Sequence, residues 1–248
     1  MSVSGVLIGE APVRVFHWAA SRNEALSVSL RRGTEVVLLR STFLDVDAKH
    51  GLLRIAHPLT ADDSAPPEIV PGERIGIAFR RGHKKCVFTG TVAALQRANA
   101  ELPYVIVAMP DEVDEFQRRA YQRVVVPGDR VIAVRVWRGS AGDRAFLTGA
   151  LHDLSAGGVQ IYLDGREPPR LRPGAGLIVE LPIRPGEPPL RVRAAHRHTT
   201  AMKDGRVALG VQFVGLELEP EGIRTLRAIA RTVCEWRRGP GSTLPQND

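Results

Sequence analysis

An arginine cluster in the middle of the chain carries the side chains best suited to binding a charged ligand. It contains Arg118, Arg119 and Arg123 in the order Arg-Arg-x-x-x-Arg. Guanidinium groups make paired hydrogen bonds to phosphates and to the acceptor edge of guanine. A spacing of four keeps Arg119 and Arg123 on one side of either a helical turn or an extended segment. The cluster by itself also fits a solvated basic linker, so its meaning depends on what accompanies it.

Thirty residues after Arg123, a polar turn follows the pattern Asp153-x-Ser155-x-x-Gly158. Short polar side chains such as those of Asp153 and Ser155 bond to the backbone of their own loop and make it rigid. A glycine such as Gly158 allows the backbone to approach a neighbour closely, and a carboxylate accepts the N–H donors of a base edge. Taken alone, this turn is typical of a structural connection between strands. Paired with the arginine cluster, it predicts a site for a nucleotide with exposed phosphates.

The order and spacing of the two motifs resemble the ligand-binding motifs of the PilZ family, whose members bind the bacterial second messenger cyclic di-GMP. The likeness extends to the apolar strand at 159–161, a late strand at 209–216 and a C-terminal helix. The resemblance implies cyclic di-GMP as the ligand and no other cofactor. It also implies a set of ligand-binding residues, namely Arg118, Arg119, Arg123, Asp153, Ser155 and Gly158.

The half of the chain before the cluster resembles the N-terminal domain of the flagellar-brake subfamily of PilZ proteins. In that subfamily the messenger changes the arrangement of two domains, and the protein slows the flagellar motor. Related proteins of the same architecture regulate polysaccharide production, adhesion or transcription. The resemblance therefore implies a protein partner, either the flagellar motor or other effector machinery. One alternative is an adaptor on the same fold that works without the messenger, and a weaker one is a nucleic-acid-binding protein.

The elements that must position these residues are mainly strands. Low aromatic content, 24 glycines and 18 prolines favour short strands joined by turns. We expect an all-β fold of two β-barrel domains with short helices: a split-barrel-like N-terminal domain and a six-stranded antiparallel PilZ barrel. The expected divisions are an N-terminal domain at 1–112, an arginine-rich linker at 113–123, the PilZ domain at 124–238 and a disordered tail at 239–248. Ser21 and Glu24 have the spacing of a capping box, which predicts a helix from there to Gly33.

Bulk composition narrows the class of protein further. No apolar run approaches the length of a membrane span, and the N-terminus lacks the pattern of a secretion signal, which predicts a cytoplasmic protein without membrane insertion. The net charge of +7 would attract polyanions in general. The charge does not by itself indicate a nucleic-acid partner, because a general preference for arginine codons in the genome explains it equally well.

Two further sets of residues could in principle bind a metal or catalyse a reaction. His196 and His198 alternate in a predicted strand, which would put both imidazoles on one face as a possible metal pair. No third ligand is identifiable, so we expect exposed strand residues or auxiliary ligand contacts instead of a metal site. Ser155 lacks the strained elbow of serine hydrolases, and no phosphate-cradling glycine loop occurs. The sequence therefore predicts a binding protein without catalytic residues.

Overall fold

The computed structural model describes residues 4–33, 35–60, 68–96, 103–138, 146–164 and 168–238. Within these ranges the chain is mostly β-strand, with two α-helices and two short 3₁₀ helices. The strands form two sheets, each of which closes on itself as a six-stranded antiparallel barrel. The predicted all-β class with two barrels and short helices is therefore confirmed.

The first barrel is closed by six strands in the order β6-β5-β2-β3-β4-β7, with β7 returning to β6. Strand β8 extends the sheet beyond β6, and β1 pairs with β8. The elements of this half are β1 (Ser4–Leu7), α1 (Glu10–Ala20), β2 (Ala25–Arg32), β3 (Glu35–Asp47), β4 (Leu52–Ala56), β5 (Arg74–Arg81), β6 (Lys84–Gln96), β7 (Tyr104–Ala108) and β8 (Val113–Gln117).

Helix α1 contributes to the core of this barrel through Phe16, which is fully buried. Its ring lies 5.2 Å from that of Phe88 in an edge-on arrangement, and the ring of Phe43 lies 4.9 Å from that of Phe79. Aromatic pairs in such geometries add stabilisation beyond the area that they bury. The four rings therefore attach α1 to strands β3, β5 and β6.

The helix predicted from Ser21 to Gly33 is wrong. The helix lies earlier, at Glu10–Ala20, and the Ser21 hydroxyl donates to the carbonyl of Trp18 at its C-terminal end, at 2.9 Å. The residues after it form β2, in which Leu26, Val28 and Leu30 are buried. Their alternation has the period of a strand, and this tertiary burial outweighs the local capping pattern.

The second barrel is closed by strands in the order β10-β13-β14-β15-β12-β11, with β11 returning to β10, and β9 adds to β11. Its core includes the fully buried Leu154, Val159 and Ile161. The elements of this half are β9 (Val124–Val125), β10 (Ala133–Arg138), β11 (Phe146–Ser155), β12 (Gly158–Leu163), β13 (Gly176–Leu181), β14 (Leu190–Ala201), β15 (Val207–Phe213) and α2 (Pro220–Arg238). Helix α2 buries one apolar stripe, formed by Leu226, Ile229, Val233 and Trp236.

The chain divides into two compact units, and the division does not follow the sequence simply. The first unit contains residues 1–118 together with 215–224, and the second contains 119–214 together with 225–248. The predicted boundaries at 112, 123 and 238 stay predictions, although residues 113–117 of the expected linker form β8. The expected disordered tail, 239–248, lies outside the described residues.

The segment 215–224 belongs to the first unit through specific contacts of Glu217. The Ser29 hydroxyl donates to its carboxylate, and the Thr89 hydroxyl donates to its backbone carbonyl at 2.6 Å. On β5, a Cβ at Gly76 would lie 2.3 Å from Cγ of Glu217, so a larger residue would meet this side chain. Polar contacts from two strands thus hold the segment against the first barrel.

Neither α1 nor α2 combines the length and the apolar character that crossing a membrane requires, and this holds for every helix in the described ranges.

Candidate functional site

The arginine cluster lies on a 3₁₀ helix, Arg118–Tyr121, and on the short segment that leads into β9. Arg118, Arg119 and Arg123 are exposed, whereas Ala120 between them is completely buried. The backbone N–H of Arg118 donates to the carbonyl of His83 at 2.9 Å. Arg118 is the last residue of the first unit, and the other five predicted site residues belong to the second.

The polar turn is the hairpin between β11 and β12, and its hydroxyl is used internally. Ser155 Oγ accepts the N–H of Gly157 and donates to the carbonyl of Gly158, both at 3.2 Å. Ser155 is only 4% exposed. A Cβ on Gly158 would lie 2.2 Å from the carbonyl oxygen of Val211 on β15, so only glycine fits there. Ser155 and Gly158 therefore shape the turn.

The turn is fastened to the arginine segment through the backbone. The N–H of Ala156 donates to the carbonyl of Ala120 at 2.8 Å. The burial of Ala120 and this bond connect the middle of the 3₁₀ helix to the tip of the hairpin. The two motifs predicted from the sequence therefore meet in space.

Asp153 and Arg123 are in direct contact. Arg123 Nη1 donates to Asp153 Oδ1 at 2.6 Å, and the same oxygen accepts the N–H of Gln160 at 3.1 Å. The contact follows from strand pairing, because β9 begins directly after Arg123 and sets Val125 opposite Asp153. The Asp153 side chain is 10% exposed and that of Arg123 is 44% exposed. The guanidinium therefore keeps donors facing solvent while Asp153 orients it.

Positive charge also gathers where α2 ends. Burial raises the pKa of the Cys234 thiol, and nearby positive charges oppose that rise. Those charges come from Arg238 and Arg237 of α2 and from Arg119, whereas the Glu235 carboxylate acts in the opposite direction. Arg237 additionally donates to the side-chain oxygen of Gln122. Guanidinium groups from the cluster and from the last turn of the helix thus share one region of the second unit, which suits an anionic ligand.

The expectation that His196 and His198 share one face is wrong. A β-bulge separates them, so His196 pairs with Val211 while His198 pairs with Gly210. His196 points inward and its nitrogens contact the Arg172 carbonyl at 3.0 Å and the Thr199 hydroxyl at 2.9 Å. His198 is exposed. Within the described residues, no group of three or more histidine, cysteine, aspartate or glutamate side chains is placed to hold a metal ion.

Two surface features lie near the turn, and the sequence predicted only the first, an exposed His198. The exposed imidazole of His198 lies over Gly210, and Arg197 Nε donates to Gln212 Oε1 at 2.8 Å. Gln212 is the register partner of Gly158. Both features depend on the strand register, and no local sequence pattern predicts the contact between Arg197 and Gln212. A bulge at 196–198 could only have been suspected from the clustering of polar residues in that strand.

These features define a class of protein: an all-β chain of two barrels, the second of which carries a polar hairpin turn fastened to an arginine-bearing segment. Residues 117–231 match the family model described as PilZ domain. This part of the chain is a PilZ domain, and the family resemblance predicted from the two motifs is confirmed.

Several solved structures are similar to the chain. The inhibitor of motility MotI/DgrA of Bacillus subtilis is 15% identical, with 89% of this chain and 99% of that chain covered and a TM-score of 0.38. YcgR from Escherichia coli in complex with c-di-GMP is 20% identical, with 94% of each chain covered and a TM-score of 0.35. MrkH of K. pneumonia is 12% identical, with 96% of this chain and 98% of that chain covered and a TM-score of 0.48. No curated protein matches the sequence.

Proposed function

We propose that this chain is a cytoplasmic, non-enzymatic receptor for cyclic di-GMP that regulates motility or another surface-associated behaviour through protein contacts. The observation that carries the proposal is the ion pair between Arg123 and Asp153, beside a hairpin turn bonded to the arginine segment. This arrangement occurs in a PilZ domain. It combines a guanidinium donor for phosphates with a carboxylate acceptor for base N–H groups.

The proposed roles of the six residues differ. Arg119 and Arg123 bind the phosphates or the acceptor edge of a guanine, and Arg118 supplies a further guanidinium. Asp153 orients Arg123 and accepts base N–H donors. The remaining two, Ser155 and Gly158, give the turn its shape, since their polar and steric roles are already occupied within the hairpin.

The proposed effect of messenger binding depends on the presence of two barrel domains in the chain. We propose the functional divisions 1–112, 113–123 and 124–238, with the linker ordered by the messenger and the arrangement of the two barrel domains changed as a result. The change would expose or remove a surface for a protein partner, either the flagellar motor or other effector machinery. Small-angle scattering with and without cyclic di-GMP tests this step, and an unchanged profile at saturating messenger would contradict it.

The direct test is calorimetry of the full chain with cyclic di-GMP. We expect saturable binding at micromolar concentrations, because two or three charge-assisted contacts of about 1.5–3 kcal/mol each approach the roughly 8 kcal/mol that such an affinity requires. Arg119→Ala and Arg123→Ala should each weaken binding by about 10- to 100-fold. Absence of any heat of binding at tens of micromolar messenger, on the order of the expected dissociation constant, would reject the proposal.

A matched control removes an arginine elsewhere in the second unit. Arg191 on β14 is similarly exposed, and its Nε donates to Glu180 Oε2 at 3.1 Å. Glu180 also contacts Arg135, so Arg191→Ala leaves this carboxylate with a partner. We expect this variant to bind the messenger like the wild type. A general dependence on positive charge would weaken it as much as the site variants.

If the chain is instead a messenger-independent adaptor, its binding to partner proteins should not depend on cyclic di-GMP. It would capture the same proteins from a bacterial lysate whether or not cyclic di-GMP is present, and Arg123→Ala would leave this capture unchanged. A receptor should show partners whose recovery changes on addition of the messenger.

A further inference from the structure

The outer surface of the second barrel carries a row of four residues that begins at Asp153. Asp153 pairs with Gln160, Gln160 with Gly210, and Gly210 with His198. Directly opposed residues of antiparallel strands project to the same face of a sheet. The row therefore crosses β11, β12, β15 and β14 on one face, with Asp153 at one end and His198 at the other.

The neighbouring row shows which face this is. Leu154 pairs with Val159, Val159 with Val211, and Val211 with His196. All four are at most 4% exposed, so this row fills the barrel interior. Successive residues of a strand alternate between faces. The row from Asp153 to His198 consequently lies on the outside of the barrel.

The His198 ring lies directly over the backbone of Gly210. A Cβ built on Gly210 would fall 2.1 Å from Cε1, 2.5 Å from Nε2 and 2.6 Å from Nδ1 of His198. Three ring atoms thus occupy the space that any larger side chain at position 210 would need. One side of the imidazole rests on the glycine, and His198 as a whole is exposed. The ring is a planar surface supported by the sheet and open to solvent.

We infer that His198 is a further contact residue of the proposed nucleotide site, on whose imidazole a purine base stacks. This inference rests on the proposed function. Bases stack on aromatic side chains whatever their edge pattern, so the ring needs no hydrogen-bond complementarity. Three strand spacings of about 4.8 Å separate the two ends of the row, or about 14 Å. A dinucleotide laid across these strands places a phosphate near Arg123 and a base near His198.

Charge and shape along the row agree with this orientation. Because Gly210 has no side chain, the imidazole can lie close against the sheet with its other face turned to solvent. The Arg197 guanidinium, held by Gln212, adds positive charge on the neighbouring position of β14. A ligand with one planar end and anionic groups elsewhere fits a surface with these properties.

The test uses the full chain with His198→Ala and His198→Phe, titrated with cyclic di-GMP by calorimetry. We expect His198→Ala to weaken binding by about 5- to 100-fold, from the magnitude of stacking on one aromatic residue. Phenylalanine keeps a planar ring at the same position, so His198→Phe should stay within about threefold of the wild type. His17 of α1, exposed and in the first unit, provides the control, and His17→Ala should bind normally.

The possible results separate the two proposals. If the wild type binds the messenger and His198→Ala binds equally well, the stacking role is wrong while the receptor proposal stands. Equal weakening of the alanine and phenylalanine variants, with thermal unfolding unchanged, would also overturn stacking, because it would mean that the imidazole acts through its nitrogens. If the wild type fails to bind, the receptor proposal fails and this inference with it.

A spectroscopic readout distinguishes ligand contact from a structural role. With histidines labelled at Cε1, addition of cyclic di-GMP should shift the His198 resonance strongly and leave that of His17 in place. A base stacked on the ring changes its magnetic environment directly. An unmoved His198 signal at saturating messenger would contradict the contact.

Discussion

Arg123 Nη1 lies 2.6 Å from Asp153 Oδ1, so residues of the two separate motifs are hydrogen-bonded to each other without a ligand. The contact uses one of the five donors of the guanidinium. Asp153 also accepts the N–H of Gln160, which fixes the carboxylate on β11. The pair therefore holds Arg123 in place while leaving donors for an anion, a form of preorganisation that reduces the entropic cost of binding.

The first prediction concerns the strength of this ion pair. Arg123→Ala should lower the free energy of unfolding by about 1 kcal/mol, because it leaves a largely buried carboxylate with fewer donors. In a double-mutant cycle with Asp153→Asn, the coupling should likewise be about 1 kcal/mol, measured by urea denaturation. Additive effects of the two substitutions would show that the contact contributes nothing to stability.

The second prediction concerns the glycine that ends the turn. Gly158→Ala should destabilise the protein by about 1–3 kcal/mol, since the new Cβ would lie 2.2 Å from the Val211 carbonyl oxygen and force β12 away from β15. Thermal unfolding measures the effect. Gly176, at the start of β13, is the matched control because a Cβ there meets no atom within 4 Å. Equal melting temperatures for Gly158→Ala and Gly176→Ala would contradict the close packing.

The third prediction concerns the pH dependence of stability. Burial beside the Glu115 carboxylate raises the pKa of Cys86 from 9.0 to about 12. The unfolded chain releases this proton near pH 9 and the folded chain does so only near pH 12. The thiol therefore contributes stability that is complete below pH 9 and is lost as the pH rises toward 12.

Comparison of Cys86→Ala with the wild type checks this linkage. The free energy of unfolding, measured by denaturation between pH 8 and about 11, should fall less steeply in the variant. Cys234 is only partly buried and its pKa is also raised, so Cys234→Ala should flatten the profile less than Cys86→Ala does. Parallel pH profiles for wild type and Cys86→Ala would contradict the raised pKa of the buried thiol.

The fourth prediction separates a receptor from a nucleic-acid-binding protein. The net charge of +7 should give weak DNA or RNA binding that disappears as salt rises, because such binding depends on counterion release. Cyclic di-GMP has far fewer phosphates, so its affinity should change much less over the same range. A gel-shift series from about 50 to 200 mM salt, beside calorimetry under the same conditions, measures both. DNA binding that persists at high salt and tolerates Arg123→Ala would favour the nucleic-acid alternative.

Much of the fold was predictable from the sequence because its signals are local. The turn-rich composition predicted the all-β class, and the family resemblance predicted a C-terminal helix, which is α2 with its buried stripe Leu226, Ile229, Val233 and Trp236. The first helix was predicted at the wrong place. The capping pattern at Ser21 and Glu24 is a local signal, whereas the burial that makes Ala25–Arg32 a strand depends on residues far away along the chain. The return of 215–224 to the first unit had no sequence signal, since it depends on contacts with Ser29 and Thr89 far away along the chain.

The candidate site likewise combines features that the sequence predicts with features that depend on tertiary contacts. By itself the sequence determined which residue types are present and how they are spaced, and that was enough to predict an arginine cluster, a rigid Asp/Ser turn and the family that carries both. Only the tertiary structure decided that Arg123 bonds to Asp153, that Ser155 is used within its own hairpin, and that a bulge sends His196 inward and His198 outward. The physical reason is strand register. Spacing along a chain specifies which side chains a strand offers, whereas pairing between strands specifies which of them face the same surface.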